Sequence, residues 1–319
     1  MKIAVIGCGR WGSFIARYLD SIGHSVTLYG RESSPHMQQL LKNRTNALMT
    51  LPDGVGLCTS LAEALDGAEA TVVSIGSQGL RALCRELASV GGARGPMVLC
   101  MKGLEVKSGK RLSEIVCEEL GADTVVAVWL GPGHVQEFCA GVPNCMVIDS
   151  ENEDAKRMLV DSFSSNLIRF YYGQDMIGNE IGAAAKNVIG IAAGLLDGMN
   201  LSTLKGALMS RGTREIARLI AASGGSELSA YGLCHLGDYE ATVFSAYSHN
   251  RRYGEAVVRG EEFADLAEGY YTVRALTLLA ERVGVELPIC RTVEDVLYRG
   301  VAPKEAVARL FERRLKNEF

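Results

Sequence analysis

Lys186 is the residue of this 319-residue chain that most needs a chemical reason to be where it is. It sits within Asn179–Leu196, a stretch that is apolar nearly all round at helical spacing, the pattern of a buried helix. Burying an ammonium without partners costs on the order of several kcal/mol. A lysine stem that runs out to the surface avoids that cost, but Gly182, Ala183 and Gly190 are small and leave room for something to approach the ammonium instead. Ionisable groups forced into apolar surroundings concentrate at active sites, so Lys186 reads as a working group. Lys102 is a second candidate, placed just after the apolar run Met97–Met101. Gly131-Pro-Gly-His134 follows the next such run, Thr124–Leu130. Further on, Asp238, Thr242, Ser248, Asn250, Arg251 and Arg252 gather a carboxylate, hydroxyls, an amide and two guanidinium groups. Taken alone, that last segment reads equally well as a solvated helix face.

The chain opens with a cradle for a second reactant. The apolar run Lys2–Ile6 feeds into Gly7-x-Gly9-x-x-Gly12, and helical spacing of apolar residues follows at once. Strand, glycine turn and helix form the context that the dinucleotide fingerprint requires. Gly7 permits the tight turn, Gly9 lets the backbone approach a pyrophosphate, and Gly12 lets helix and strand pack closely. At the end of the second strand stands Gly30, where an NAD enzyme offers a carboxylate to the ribose 2′-hydroxyl, with Arg31 beside it. Arg31 would meet a 2′-phosphate, which favours NADP(H) with NAD(H) tolerated. Glu32 is the competing carboxylate.

These groups need a scaffold, and the first half of the chain supplies one. Apolar strands are predicted at Lys2–Ile6, Ser25–Tyr29, Ala70–Ile75, Met97–Met101, Thr124–Leu130 and Asn144–Asp149, with helices at Arg10–Ser21, Ser77–Ser89 and Gly109–Leu120. That alternation implies an α/β, Rossmann-like, doubly wound parallel sheet, whose ligands bind beyond the carboxyl ends of the strands. Near Tyr172 the texture changes to helical periodicity without strands. The expected organisation is a dinucleotide-binding domain at 1–172 and an all-α substrate domain at 173–319, with the active site in the cleft between them.

Composition narrows the partners. The net charge is −4 and the pI about 5.8, and no block of lysine and arginine marks a nucleic-acid or polybasic membrane tail. Arg309 to Lys316 mixes in an acid and reads as a solvated terminal helix. The first apolar run ends after four residues at a glycine turn, too short for a signal peptide, and Ile181–Leu196 is short of a membrane span. The nine cysteines, at 8, 58, 84, 100, 117, 139, 145, 234 and 290, are odd in number and show no Cys-x-x-Cys spacing. Buried, reduced thiols in a soluble cytoplasmic protein are expected, with no metal site.

Taken together, Gly7-Cys-Gly-Arg-Trp-Gly12, Met101-Lys-Gly-Leu-Glu105, Gly131-Pro-Gly-His134, Ala185-Lys-Asn-Val-Ile189, Gly237-Asp-Tyr-Glu-Ala-Thr242, Ser248-His-Asn-Arg251 and Ala267-Glu-Gly269 resemble one family over essentially the whole chain. It is the NAD(P)-dependent sn-glycerol-3-phosphate dehydrogenase family, in its bacterial branch. The resemblance implies hydride transfer between dihydroxyacetone phosphate and sn-glycerol 3-phosphate, a small phosphorylated substrate, supply of phospholipid backbones, and a homodimer through the helical domain. By matching position it implies that Lys186 moves the proton at the reacting oxygen, Lys102 polarises that oxygen, and Asp238 completes the catalytic cluster. It implies cofactor contacts from Gly7, Gly9, Arg10, Trp11, Gly12, Arg31, Lys102, Val135 and Glu268. Substrate contacts are implied for Lys102, Gly131, Gly133, Thr242, Ser248, His249 and Asn250.

Three positions depart from the family pattern. Arg10 replaces the usual serine before Trp11, Gly133 removes the hydroxyl of Gly-Pro-Ser, and His249 stands where the family carries an arginine expected on phosphate. An imidazole lacks the bidentate fork of a guanidinium; Arg251 and Arg252 are the neighbouring candidates for that contact. Two other readings remain open on the residues alone: an NADPH-dependent reductase of another small 2-oxo substrate, ketopantoate-reductase-like, and a non-catalytic nucleotide-binding regulator.

Overall fold

The computed structural model describes residues 1–315, 317 and 318, so Lys316, the last residue of the predicted terminal helix, lies outside the described residues. The first half alternates as expected: β1 (Lys2–Ile6), α1 (Arg10–Ser21), β2 (Ser25–Tyr29), α2 (Pro35–Asn43), β3 (Gly56–Cys58), α3 (Leu61–Leu65), β4 (Ala70–Val73), α4 (Leu80–Ser89), β5 (Met97–Leu99), α5 (Leu112–Leu120), β6 (Val126–Leu130), α6 (Val135–Cys139), β7 (Asn144–Ser150), α7 (Glu153–Phe163) and β8 (Ile168–Tyr172). The helices α8 (Met176–Gly198), α9 (Lys205–Ala222), α10 (His249–Arg259), α11 (Glu268–Val283), α12 (Pro288–Arg299) and α13 (Pro303–Phe311) follow, joined by short 3₁₀ and π-helical turns.

The strands form one eight-stranded sheet in the order β3-β2-β1-β4-β5-β6-β7-β8. The first six are parallel and follow the doubly wound order. Its switch point falls between β1 and β4, at whose carboxyl end the glycine turn lies. A wholly parallel sheet was the expectation, and β7 corrects it by running antiparallel to β6, with Leu130 opposite Val147. The connection explains the reversal. A five-residue helix such as α6 rises about 7 Å, less than half the roughly 17 Å of a five-residue strand, so it does not carry the chain back across the sheet.

β3 and β8 carried no predicted strand. β3 is three residues long, begins with glycine and is at best half-buried, so it offers no periodic signal. β8 does alternate, with Ile168 and Phe170 buried and Arg169, Tyr171 and Tyr172 exposed, which is the pattern of an edge strand. The core between sheet and helices includes Ile3, Val5, Ile15, Leu19, Val72, Val98, Trp129 and Phe163.

By compactness the chain divides into one unit of residues 1–102 and 111–180 and a second of 103–110 and 181–319. The helix predicted from Gly109 begins only at Leu112, because the preceding loop is built into the second unit. There Gly109 takes φ +66° and packs against α11, and Arg282 donates to the Ser108 carbonyl. Every named strand belongs to the first unit, and the second is helical.

α8 is longer than the apolar stretch first suggested. At 23 residues it is long and apolar enough to cross a membrane, but 89% of its most apolar window is buried within the protein, as in a core helix. None of the nine cysteines is in a disulfide; Cys8, Cys84, Cys234 and Cys290 are buried, and the other five are half-buried. The predicted solvated terminal helix stops at Phe311.

Candidate active site

The glycine cradle is built as the spacing demands. Gly7 adopts φ +112°, and a Cβ there would run into the Ser74 carbonyl on the neighbouring strand's exit. One on Gly12 would run into the Gly7 carbonyl, so strand and helix touch backbone to backbone. A Cβ on Gly9 would meet nothing within 4 Å. Gly9 is also the N-cap of α1 and offers no side-chain cap, so the helix N-terminus faces open space. That space over a positive helix end fits a pyrophosphate. Trp11 packs edge-on to Phe14 and Phe138, at centroid distances of 5.8 and 6.1 Å, and Arg10 is exposed.

At the end of β2, Gly30 is enforced by its neighbours. A Cβ there would crowd the Cys8 sulfur and lie 3.1 Å from Cβ of Met37, so no carboxylate fits at this position. Arg31 and Glu32 are both exposed in the turn that follows. Cys8 Sγ in turn lies 3.6 Å from Ser34 Oγ.

Across the carboxyl ends of β5 and β6, Lys102 Nζ donates to the Gly131 carbonyl at 2.6 Å. The lysine and the Gly-Pro-Gly turn therefore form one local structure. Gly131 and Gly133 take φ +129° and +138°. A Cβ on Gly133 would also press into the Phe138 ring, which explains why the family's serine is missing here. Val135 opens α6 with its side chain buried in the core, so only its backbone is available to a ligand.

In the second unit, Lys186 Nζ is held 2.9 Å from Asp238 Oδ2 and donates to Thr242 Oγ1 at 2.8 Å. The Thr242 hydroxyl in turn donates a hydrogen bond to the Asp238 carbonyl at 2.7 Å. Asp238 is fully buried, Thr242 is 1% exposed and Lys186 8%. Both partners come from Leu236–Phe244, a 3₁₀ turn followed by a π-helical turn, an irregularity common at functional sites.

The small residues of α8 play a different part from the one predicted. What approaches Gly182 and Gly190 is the protein itself: a Cβ on Gly182 would lie 3.0 Å from Cβ of His235, and one on Gly190 would lie 2.7 Å from Cγ2 of Thr242. They bring the partners of Lys186 close. Asn187, which sequence reasoning passed over, accepts from Asn250 Nδ2 at 3.0 Å, and Asn250 Oδ1 accepts the Gly269 N–H at 2.9 Å. Its place directly after Lys186 was the available signal. Glu268 opens α11 beside that contact.

Ser248 is the N-cap of α10, its hydroxyl accepting the Arg251 N–H at 3.3 Å. Arg251 is committed inward, 2.8 Å from Asp197 and 2.7 Å from Glu255, and it also donates to the Ser245 carbonyl. Arg252 pairs with Asp265 at 3.0 Å and lies over the Phe263 ring. His249 faces the same carboxylate, 3.9 Å from Asp265 Oδ2. The guanidinium fork of Arg251 is thus filled by carboxylates of α8 and α10. Among the described residues, no group of three or more His, Cys, Asp and Glu side chains is placed to hold a metal.

Two family models cover most of the sequence: the N-terminus of NAD-dependent glycerol-3-phosphate dehydrogenase over residues 2–156 and its C-terminus over 175–308. The chain belongs to the NAD-dependent glycerol-3-phosphate dehydrogenase family. It is 35% identical to the glycerol-3-phosphate dehydrogenase [NAD(P)+] of Prosthecochloris aestuarii, over 100% of both proteins. It is also 35% identical to that of an Exiguobacterium species, over 100% of this chain and 97% of the relative. A crystal structure of glycerol-3-phosphate dehydrogenase from Coxiella burnetii superposes with a TM-score of 0.92 at 29% identity, covering 98% of this chain and 99% of that one. A 2-dehydropantoate 2-reductase from Methylococcus capsulatus reaches a TM-score of 0.60 at 17% identity, a likeness of fold alone. The family membership favours the dehydrogenase reading over the ketopantoate-reductase-like one.

Proposed function

We propose that this chain interconverts dihydroxyacetone phosphate and sn-glycerol 3-phosphate, with NADP(H) preferred over NAD(H). The observation that carries the reading is the Lys186 ammonium, gripped by Asp238 and Thr242 on an otherwise apolar helix of this family. The same reading has the chain working in the cytoplasm as a homodimer through its helical unit, supplying glycerol phosphate for phospholipids.

The nicotinamide, when bound, supplies the hydride. Gly7, Gly9 and Gly12 would hold the pyrophosphate, with Arg10 and Trp11 lining the start of α1 and Val135 and Glu268 completing the cofactor contacts. Lys186 delivers a proton to the ketone oxygen as negative charge develops there. Asp238 and Thr242 fix the direction of that ammonium, so less freedom is lost on reaching the transition state. Lys102, oriented by the Gly131 carbonyl, polarises the same oxygen. Gly131, Gly133, Ser248, His249 and Asn250 bind the rest of the substrate, with His249 on the phosphate.

Following NADPH absorbance over a panel of ketone phosphates and 2-oxo acids tests this directly. Dihydroxyacetone phosphate should be the best substrate; a 2-oxo acid turned over faster would overturn the assignment. His249→Arg should lower KM for dihydroxyacetone phosphate, because a guanidinium can meet a phosphate with two N–H groups where an imidazole offers one. An unchanged KM in the variant would remove His249 from the phosphate site.

Arg31→Ala should weaken NADPH binding by about 1.5–3 kcal/mol, the worth of a charge-assisted hydrogen bond, and leave NADH binding nearly unchanged. Isothermal titration with both cofactors decides it. Equal losses would pass the 2′-position to Glu32.

A further inference from the structure

His235 and Tyr239 lie beneath the Lys186 cluster, both fully buried, and neither has a part in the chemistry above. The His235 ring spans two elements. Its Nδ1 lies 2.8 Å from the Gly182 carbonyl on α8, and its Nε2 lies 2.8 Å from the Tyr239 hydroxyl. A carbonyl only accepts, so Nδ1 carries the proton and Nε2 accepts from Tyr239 O–H. In an α-helix the Gly182 carbonyl is also the one that takes the amide of Lys186. His235 therefore latches onto the turn of α8 that carries the lysine.

The other end of the latch is equally specific. Tyr239 directly follows Asp238, and its carbonyl accepts the amides of Thr242 and Val243. The segment that supplies both partners of the ammonium is thus tied to the lysine's helix through one imidazole. Gly182 is what lets the ring come so near. The ionisable groups around the pair are Lys186 and Asp238 near His235, and Glu215 and Cys290 near Tyr239. Burial pushes the imidazole down to about 4, so it stays neutral and keeps its acceptor nitrogen under any ordinary assay condition.

We propose that His235 and Tyr239 are positioning residues, which set the distance and direction of the Lys186 ammonium by clamping the Asp238–Thr242 turn to α8. The inference rests on the reading of Lys186 as the proton donor for its kinetic consequence, though not for its structural one. Tyr239→Phe keeps the ring and deletes one bond of the latch. His235→Asn keeps a donor near the Nδ1 position for Gly182, while His235→Gln keeps a polar group near Nε2 for Tyr239.

The test combines kinetics with NMR on lysine labelled at Cε. Tyr239→Phe should lower kcat on the order of tenfold while KM and cofactor Kd hold. It should also move the pH midpoint of kcat by about half a unit or more. The Cε signal of Lys186 should move in the same variant, and His235→Gln should restore more of both readouts than a His235→Phe control. An unmoved Lys186 signal and pH midpoint, with only a lower Tm, would overturn the proposal and leave the pair as core packing. If Lys186→Ala kept full turnover, the proton-donor reading would fall on its own. The Lys186 signal would still decide whether the latch positions the ammonium.

Discussion

Lys186→Ala is expected to reduce kcat by about 10²–10⁴-fold, the usual worth of a general acid, with a further loss if the ammonium also stabilises the developing alkoxide. Binding of NAD(P)H should be nearly unchanged, because the glycine cradle belongs to β1 and α1 and not to α8. The substitution has a structural side that has to be separated from the catalytic one. Asp238 is fully buried and would lose the cation 2.9 Å from it. Breaking a buried pair from one side costs about 3–5 kcal/mol of stability. The double variant Lys186→Met/Asp238→Asn removes both charges together and should recover much of that loss without recovering turnover. Cofactor binding, unfolding midpoint and kcat measured on both variants separate the effects. A folded Lys186→Ala protein that retained more than a tenth of wild-type kcat would end the proton-donor reading.

The fingerprint was legible because backbone geometry dictates it. Gly7 and Gly12 each have a steric reason that no other residue type meets, whereas Gly9 leaves open room over the helix end rather than relieving a clash within the chain. The doubly wound parallel arrangement was legible as apolar strands alternating with helices, whereas the strand order, which includes the unpredicted β3, came only from the structure. Lys186 was legible by contrast with its apolar helix. Its partners were legible only as residue types, because Asp238 and Thr242 lie more than fifty residues on, and a π-helical turn has no sequence period. His235 left no trace at all: a lone histidine beside a cysteine and a leucine looks like any core residue. The reversal of β7 was hidden because strand direction depends on the length of a connection and not on the strand's own residues. The inward commitment of Arg251 was hidden for a similar reason. Asp197, which holds it, lies on another helix.

Two buried groups, His235 and Glu215, should make stability depend on pH in opposite senses. Glu215 is fully enclosed and accepts the N–H groups of Ile289 and Cys290 at 2.8 and 3.0 Å, at the start of α12. Burial raises its carboxyl from 4.5 to about 7. A raised value means that its contribution is complete below 4.5 and is lost as pH climbs through about 7. His235 is lowered from 6.5 to about 4, so its contribution is complete above 6.5 and is lost as pH falls towards 4. Each loss amounts to about 3 kcal/mol at its limit, because a tenfold change in proton affinity is worth about 1.4 kcal/mol. Between roughly pH 4.5 and 6.5 the unfolded chain protonates the imidazole and ionises the carboxyl, while the folded chain does neither, so the two slopes nearly cancel. Single substitutions should uncover them. Relative to wild type, Glu215→Gln should gain stability as pH rises from 4.5 to 7, and His235→Asn should gain it as pH falls from 6.5 to 4. Urea unfolding midpoints across that range read both differences directly, because every other titrating group is common to the proteins compared. Variant and wild-type curves that stay parallel would show that neither group is held away from its ordinary protonation state.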